Sequence, residues 1–193
     1  AAWDQDLPNW QSLRPLIQTN PEIQNSAPFI ETQAMINTQG NPNFGVLKGI
    51  DPALESQVSP IANCLTEGSL ADLKPGHFGI ILGQDLAHSL GVGIGDKVTV
   101  IVPKTTLSAV GLLPRIKVFQ VVGIFETGYQ FDSSYALTNI QDLGKVLQMP
   151  EGDVSGVQLK LQDLYQAPAV VDWLQDKIPL GMHAFDWASQ NQN

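Results

Sequence analysis

The side chains of this 193-residue chain that could carry acid–base, metal or nucleophilic chemistry are three histidines, nineteen carboxylates and one cysteine. His77, His88 and His183 are widely separated, and none stands in an HxH or HxxxH pattern that would bring two imidazoles onto one face of a strand or helix for a metal. Asp85 and His88 are one turn apart on a segment that reads as helix, a spacing equally at home on a solvated face. The run Gly91–Gly95, GVGIG, suggests a phosphate loop, but it follows a helix and opens a strand, whereas a dinucleotide fingerprint follows a strand and opens a helix. There is no GxxxxGK[ST] cradle and no GxSxG nucleophile elbow. Asp51, Asp132 and Asp153 adjoin turns, where aspartate bonds nearby backbone N–H groups. Cys64 stands alone, so neither an intramolecular disulfide nor a multi-cysteine zinc site is available, and it reads as a small packed side chain. No catalytic residue, metal ligand or cofactor contact is therefore assigned. A hydrolase or isomerase with Asp132, His88 or His183 in a cleft stays open as an alternative.

What stands out instead is a stretch suited to binding. Two β-branched segments, KVTVIV (97–102) and IKVFQVVGIF (116–125), read as strands. Between them lies a loop of a dozen or so residues, longer than a hairpin needs. Its tip, Val110, Gly111, Leu112, Leu113 and Pro114, is apolar and stiffened by proline. From Lys97 to Phe125 there is no acidic residue, while Lys97, Lys104, Arg115 and Lys117 all fall there, in a chain whose net charge is −9. An apolar tip inside a basic rim is what a partner-binding arm requires. The alternative is that Leu112 and Leu113 fold back as satellite core.

The composition frames this reading. Hydrophobic residues at 43% and charged residues at 15% are ordinary for a globular protein. The net negative charge argues against generic nucleic-acid binding. No apolar run approaches the 18 or so residues that span a bilayer, and the opening AAWDQDLPNW carries no signal segment, so the chain reads as a mature fragment or an excised domain.

The elements that must hold the arm follow from pattern. Leu7–Ile23 reads as a helix capped by Asn9 and stopped by Pro21. APFIETQAMINTQG alternates with Ile30, Thr32, Ala34 and Ile36 on one face, a strand, and NPNFGVLKGIDP is a second. Residues 52–73 are mixed, with a short helix in GSLADLKPGHF. FGIILG is a buried strand, QDLAHSLGV a helix ending at Gly91, DSSYALT a strand, NIQDLGKVLQM a helix capped by Asn139. VSGVQLKLQD is a strand, YQAPAVVDWLQDKI a helix that tolerates Pro168 in its first turns, and MHAFDWASQ a closing strand. Two strand–helix–strand units, 78–102 and 154–187, indicate a mixed α/β fold.

Together GIDPALESQVS, LKPGHFGIILGQDLAHSLGVGIGDKVTVIVP, GLLPRIKVFQVVGIFETGYQFDSSYAL and the closing DW resemble the LolC/LolE family of lipoprotein-releasing transporter permeases, within the MacB-like ABC permeases. The resemblance runs from about Ala27 to Trp187. It implies one α/β periplasmic domain of an inner-membrane protein of a Gram-negative bacterium. A porter-like subdomain would comprise about 1–52 and 150–193, and an inserted Sabre-like subdomain about 53–149. It implies no chemistry of the domain's own, with ATP hydrolysis in a separate LolD subunit, a second LolC/LolE-type permease subunit, and outer-membrane lipoproteins as cargo. In LolC a Hook loop engages the periplasmic carrier LolA, assisted by a basic Pad. The Hook matches 102–115, which gives Pro103, Lys104, Leu107, Val110, Gly111, Leu112, Leu113 and Pro114 as contacts, with Arg115, Lys117 and Lys97 as the Pad-like cations. Ala109 falls where a tip proline is expected, and Thr99 and Ile116 stand where cations are expected. The retained GLLPR favours a carrier-binding LolC or LolF type; a LolE type contacting lipoprotein directly, a MacB-like efflux domain and an adhesion domain remain alternatives.

Overall fold

In the computed structural model the described residues are 7–38, 40–108, 111–179 and 182–186, and the side chains of 104–113 lie outside the description. The strands are β1 (Ile23–Thr38), β2 (Asn41–Ile50), β3 (Leu65–Glu67), β4 (Gly79–Gly83), β5 (Lys97–Ser108), β6 (Gly111–Phe125), β7 (Tyr135–Asn139) and β8 (Gly156–Leu161). The α-helices are α1 (Arg14–Gln18), α2 (Pro52–Val58), α3 (Gln84–Leu90), α4 (Phe131–Ser134), α5 (Ile140–Leu147) and α6 (Ala167–Gln175), so the fold is mixed α/β as expected.

Hydrogen-bonded neighbours run β2-β7-β4-β6-β5-β1, and β1 pairs with β2 again, so the path closes on itself. Closure is possible because β1 is long and two-sided. Phe29 to Thr38 pair with β2, while the opposite edge pairs first with β8 and then, at Met35–Asn37, with β5. β6 is used in the same way, with β4 on one edge and β5 then β3 on the other.

Strand alternation fills the interior with Ile36, Leu47, Ile80, Leu82, Val98, Val100, Val102, Phe119 and Val121, all buried. Leu86 and Leu90 of α3 and Leu143 and Leu147 of α5 join this cluster. A second cluster, on the outside of the wall, packs Ile50, Ile81, Phe125 and Leu137 against Leu70 and Leu73. Gly83 and Gly45 let α4 approach the wall, since a Cβ on either would collide with the carbonyls of Asp132 and Ser134.

Several expectations are corrected. The loop after Val102 is largely strand: Thr106↔Leu113, Leu107↔Leu112 and Ser108↔Gly111 extend the ladder. Pro103 is absorbed in a bulge where Pro103, Lys104 and Thr105 face the single residue Pro114. The first helix is a 3-10 turn at Trp10–Leu13 followed by the short α1. Pro15 has no N–H to give the Gln11 carbonyl, so one continuous helix cannot form there. Asn9 makes no side-chain cap; its N–H donates to Asp153 Oδ1 at 3.2 Å. DSSYALT divides into α4 and β7, and Met182–Asp186 form no strand. In the first strand–helix–strand unit β4 pairs with β6 and β7, not with β5.

Two buried carboxylates tie remote segments together. Asp142 of α5 accepts the N–H groups of Gly76 at 2.6 Å and Phe78 at 2.9 Å, fixing the turn into β4 where Phe78 has a φ of 51°. Glu55 of α2, 2% exposed, meets Lys48 Nζ at 3.0 Å, and Lys48 also donates to Gln158 Oε1 at 3.0 Å, joining α2, β2 and β8.

Asp142→Ala removes the buried carboxylate that accepts the Gly76 and Phe78 N–H groups and is expected to cost about 1.5–3 kcal/mol, measured by equilibrium unfolding. Lys48→Met leaves the Glu55 charge unpaired and is expected to cost about 3–5 kcal/mol, most of it recovered in Lys48→Met/Glu55→Leu. A double variant no more stable than the single one would show that the pair itself, not the stranded charge, carries the energy.

Candidate functional site

The candidate site is the hairpin of β5 and β6. β5 meets β1 only at Thr99–Ile101 and β6 meets β4 only from Gln120 onward. Among the described residues the ribbon between these points pairs only with itself. From Val102 to Ser108 it is about 20 Å long at the usual rise per strand residue. Lys104, Leu107, Leu112 and Leu113 lie on this ribbon, and Gly111 opens β6. The side chains of 104–113 and the whole of Val110 are outside the described residues, so of the expected apolar tip the backbone of Gly111, Leu112 and Leu113 and the whole of Pro114 are placed. Pro103 and Pro114 face each other at the bulge, both exposed, and neither can donate to the ladder there.

The cations divide between two faces. Arg115 and Lys117 alternate with the outward residues and share the face of buried Phe119. Arg115 donates to the Val146 carbonyl at 3.4 Å and Gln148 Oε1 at 3.1 Å, at the C-terminal end of α5, where a cation also complements the helix dipole. Lys117 Nζ lies 3.9 Å from the centroid of the Phe78 ring, which in turn packs edge-on against Phe119. Lys97, paired with Gln120, is exposed on the opposite face. The four cations are thus close in sequence, while Arg115 and Lys117 are engaged by the fold and brace the arm's base.

The groups considered for catalysis do not converge. His77 is exposed in the turn before β4, His88 exposed on α3, and His183 exposed beyond α6. No group of three or more His, Cys, Asp or Glu able to hold a metal occurs among the described residues. Asp132 is buried, and its carboxylate accepts from the Thr127 N–H at 2.8 Å, the Thr127 hydroxyl at 2.7 Å and the Gly128 N–H at 2.8 Å. Burial pushes its pKa up, but these bonds outweigh it and hold it below the ordinary Asp value. A general base working near neutrality needs the opposite shift, so Asp132 is a loop anchor. An open groove of about 500 Å³ between α2 and the following 3-10 turns is lined by Pro52, Ser56, Ala62, Leu65, Ser69 and Leu70 among others, with no charged side chain.

The MacB-like periplasmic core domain matches residues 3–177, nearly the whole chain. The chain belongs to that family. Among curated relatives, the lipoprotein-releasing system transmembrane protein LolC of Xylella fastidiosa strain Temecula1 is 37% identical over 186 residues, 96% of this chain and 44% of the relative. LolC of Neisseria meningitidis is 39% identical over 163 residues, 84% of this chain and 39% of the relative. LolE of Haemophilus influenzae is 27% identical over 189 residues, 98% of this chain and 45% of the relative. The chain therefore spans less than half the length of these relatives. Of solved structures, the extracellular domain of the transporter YknZ from Gram-positive bacteria aligns with a TM-score of 0.59 and 13% identity, covering 89% of this chain and 83% of that one. The periplasmic region of MacB from Actinobacillus actinomycetemcomitans aligns at 0.57 and 12%, covering 90% and 75%. These two share the fold.

Sequence reasoning missed the bracing of the base. The Arg115 and Lys117 contacts reach Val146, Gln148 and Phe78, which no local pattern connects to β6; the only available signal was the i, i+2 spacing that put both cations on one strand face.

Asp132 has a lowered folded pKa, so the stability it contributes is full above the ordinary Asp value and is lost as pH falls through the lowered one. Asp132→Asn is expected to melt below wild type at neutral pH, with the two melting curves converging in acid. Lys117→Met keeps the aliphatic stem, removes the cation and is expected to cost about 1 kcal/mol in equilibrium unfolding.

Proposed function

We propose that this chain is the periplasmic domain of a lipoprotein-releasing ABC permease subunit of LolC or LolF type, and that its hairpin arm recruits the carrier LolA so that outer-membrane lipoproteins are handed over. The observation that carries this reading is the β5–β6 ribbon, which outruns its neighbours and presents the stretch matching the Hook, 102–115. The 37–39% identity to LolC proteins supports the same assignment.

On this reading the domain sits on the periplasmic side of the inner membrane and is not itself an enzyme. LolD hydrolyses ATP in the cytoplasm and a second permease subunit completes the complex. Residues 1–52 and 150–193 would form the porter-like part, and 53–149 the Sabre-like part. Contacts between the chain ends support a joint unit: Leu7 bridges Val154, and Gln162 donates to the Pro21 and Glu22 carbonyls. The pairings of β1 with β5 and of β2 with β7 join the two parts in one sheet.

A LolE-type domain that contacts lipoprotein directly is the second reading. It is favoured by one observation, that Arg115 and Lys117 are held by the fold and so are less available to a carrier than a free Pad would be.

Titration of LolA into the domain tests the proposal. Leu113→Asp, and deletion of 106–113, are expected to abolish measurable binding with melting temperature unchanged. Each leucine buried in a partner contributes about 1.5–3 kcal/mol before ordering costs. Pro114→Gly is expected to weaken binding by about 1 kcal/mol, through the added freedom of the unbound arm. A wild-type domain that ignores LolA but binds an acylated lipoprotein would sink the carrier reading in favour of the LolE type.

A further inference from the structure

Backbone at positive φ is open to glycine and costly for a residue with a Cβ, so a larger side chain held there needs something that outweighs the cost. Among the described residues three that are not glycine have it: Asn9 at 45°, Phe78 at 51° and Gln148 at 52°. Asparagine tolerates this region. The side chains of the other two meet one strand. The Phe78 ring lies 3.9 Å from Lys117 Nζ, and Gln148 Oε1 accepts from Arg115 at 3.1 Å. Arg115 and Lys117 are alternate residues on one face of β6, just below the neck of the arm.

Gln148 takes its conformation from the way α5 ends. Its N–H donates to the Lys145 carbonyl at 3.2 Å and the Met149 N–H to the Gly144 carbonyl at 2.9 Å, the two bonds that close a helix through one left-handed residue. α3 ends with the same two bonds, Gly91 to His88 at 3.1 Å and Val92 to Ala87 at 3.1 Å. There the left-handed residue is the usual glycine, at a φ of 67°. A glycine at 148 would close α5 with less strain, but it would offer no amide to Arg115.

The place of that contact gives it leverage. β5 pairs with β1 only as far as Ile101, and β6 pairs with β4 only from Gln120. Beyond those points the ladder between β5 and β6 holds the strands together but does not by itself set the direction of the ribbon. Arg115 stands about 17 Å beyond Gln120 along β6 at the usual rise per strand residue. The next residue outward is Pro114, where the bulge lies. A restraint so far from the wall limits tilt much more than one close to it.

We propose that Gln148 is a positioning residue, which through Arg115 sets the direction in which the β5–β6 arm leaves the barrel and so governs docking without touching the partner. An arm already aimed has less orientational freedom to lose on binding. The effect on binding rests on the carrier-recruiting reading, whereas the aim of the arm is a property of the free domain.

The test reads the arm directly. In a Cys64→Ser background, spin labels on Thr106→Cys in the arm and Asp85→Cys, exposed on α3, report the arm's direction as a distance distribution by pulsed electron double resonance. Gln148→Gly is expected to melt at or above wild type and to broaden or shift that distribution. It is also expected to raise the Kd for LolA about threefold or more, by calorimetric titration of the unlabelled domain. Gln148→Glu keeps an acceptor opposite Arg115 and is expected to restore the wild-type distribution. Should Gln148→Gly melt below wild type, Gln148→Asn, which accepts the left-handed conformation but is one carbon shorter, carries the measurement with the same expected direction. A wild-type distribution in these variants overturns the inference, whatever happens to binding. A broadened distribution with a wild-type Kd overturns its functional half, that docking needs the arm aimed. Wild-type affinity in the 106–113 deletion overturns the carrier-recruiting reading instead and leaves the distance result standing.

Discussion

The two-sided pairing of β1 is the constraint on which the rest depends. One strand of sixteen residues gives one edge to β2 and divides the other between β8 and β5. That arrangement closes the ring of pairings, so the ring strands present few free edges and their alternate residues form a single interior. It also commits only three residues of β5 to the barrel, Thr99 to Ile101 on the β1 side. β5 and β6 then have nowhere to go but outward, paired with each other. The arm is thus a consequence of strand length against ring size, and needs no separate folding unit.

A two-stranded ribbon standing alone is marginal in water, so its base must be held by something other than the ladder. Here the ladder is weakest at the neck, where the bulge and two prolines remove hydrogen bonds. The compensation lies just below it. Arg115 ties β6 to the last turn of α5, and Lys117 covers the Phe78 and Phe119 rings. Phe78 is itself held by Asp142 of the same helix. A single short helix therefore braces both the turn into β4 and the root of the arm. The part below the bulge is packed against α5 and Phe78, and among the described residues the part above it pairs only with itself.

Much of this was readable from the chain, and the failures have physical causes. Strands β1, β2, β4 and β8 and helices α3, α5 and α6 follow from alternation, apolar runs and caps, because those signals are local. Asn139 does accept the Gln141 N–H, and Asp51 does accept the N–H groups of Ala53 and Leu54. Closure into a ring was not readable, since the β1–β5 and β2–β7 pairings join residues far apart in sequence with no local mark. The arm was read as loop because the β-branched runs stop at Val102 and resume at Ile116, and the bulge that absorbs Pro103 depends on the partner strand.

The charges show how one feature can serve two purposes. Reading 97–125 as a basic patch treats its cations as available to a partner, whereas Arg115 and Lys117 are occupied by carbonyl, amide and ring contacts of the fold. A hydrogen bond to a neutral acceptor does not remove a cation's charge, however. A charge held in place in this way acts over a Debye length of about 8 Å at physiological salt. Long-range attraction and short-range contact are thereby separated. On the carrier-recruiting proposal, cations fixed in this way would bias approach and orientation with little side-chain entropy lost at the moment of contact. On such a surface the identity of the groups that touch the partner and the identity of those that attract it need not coincide.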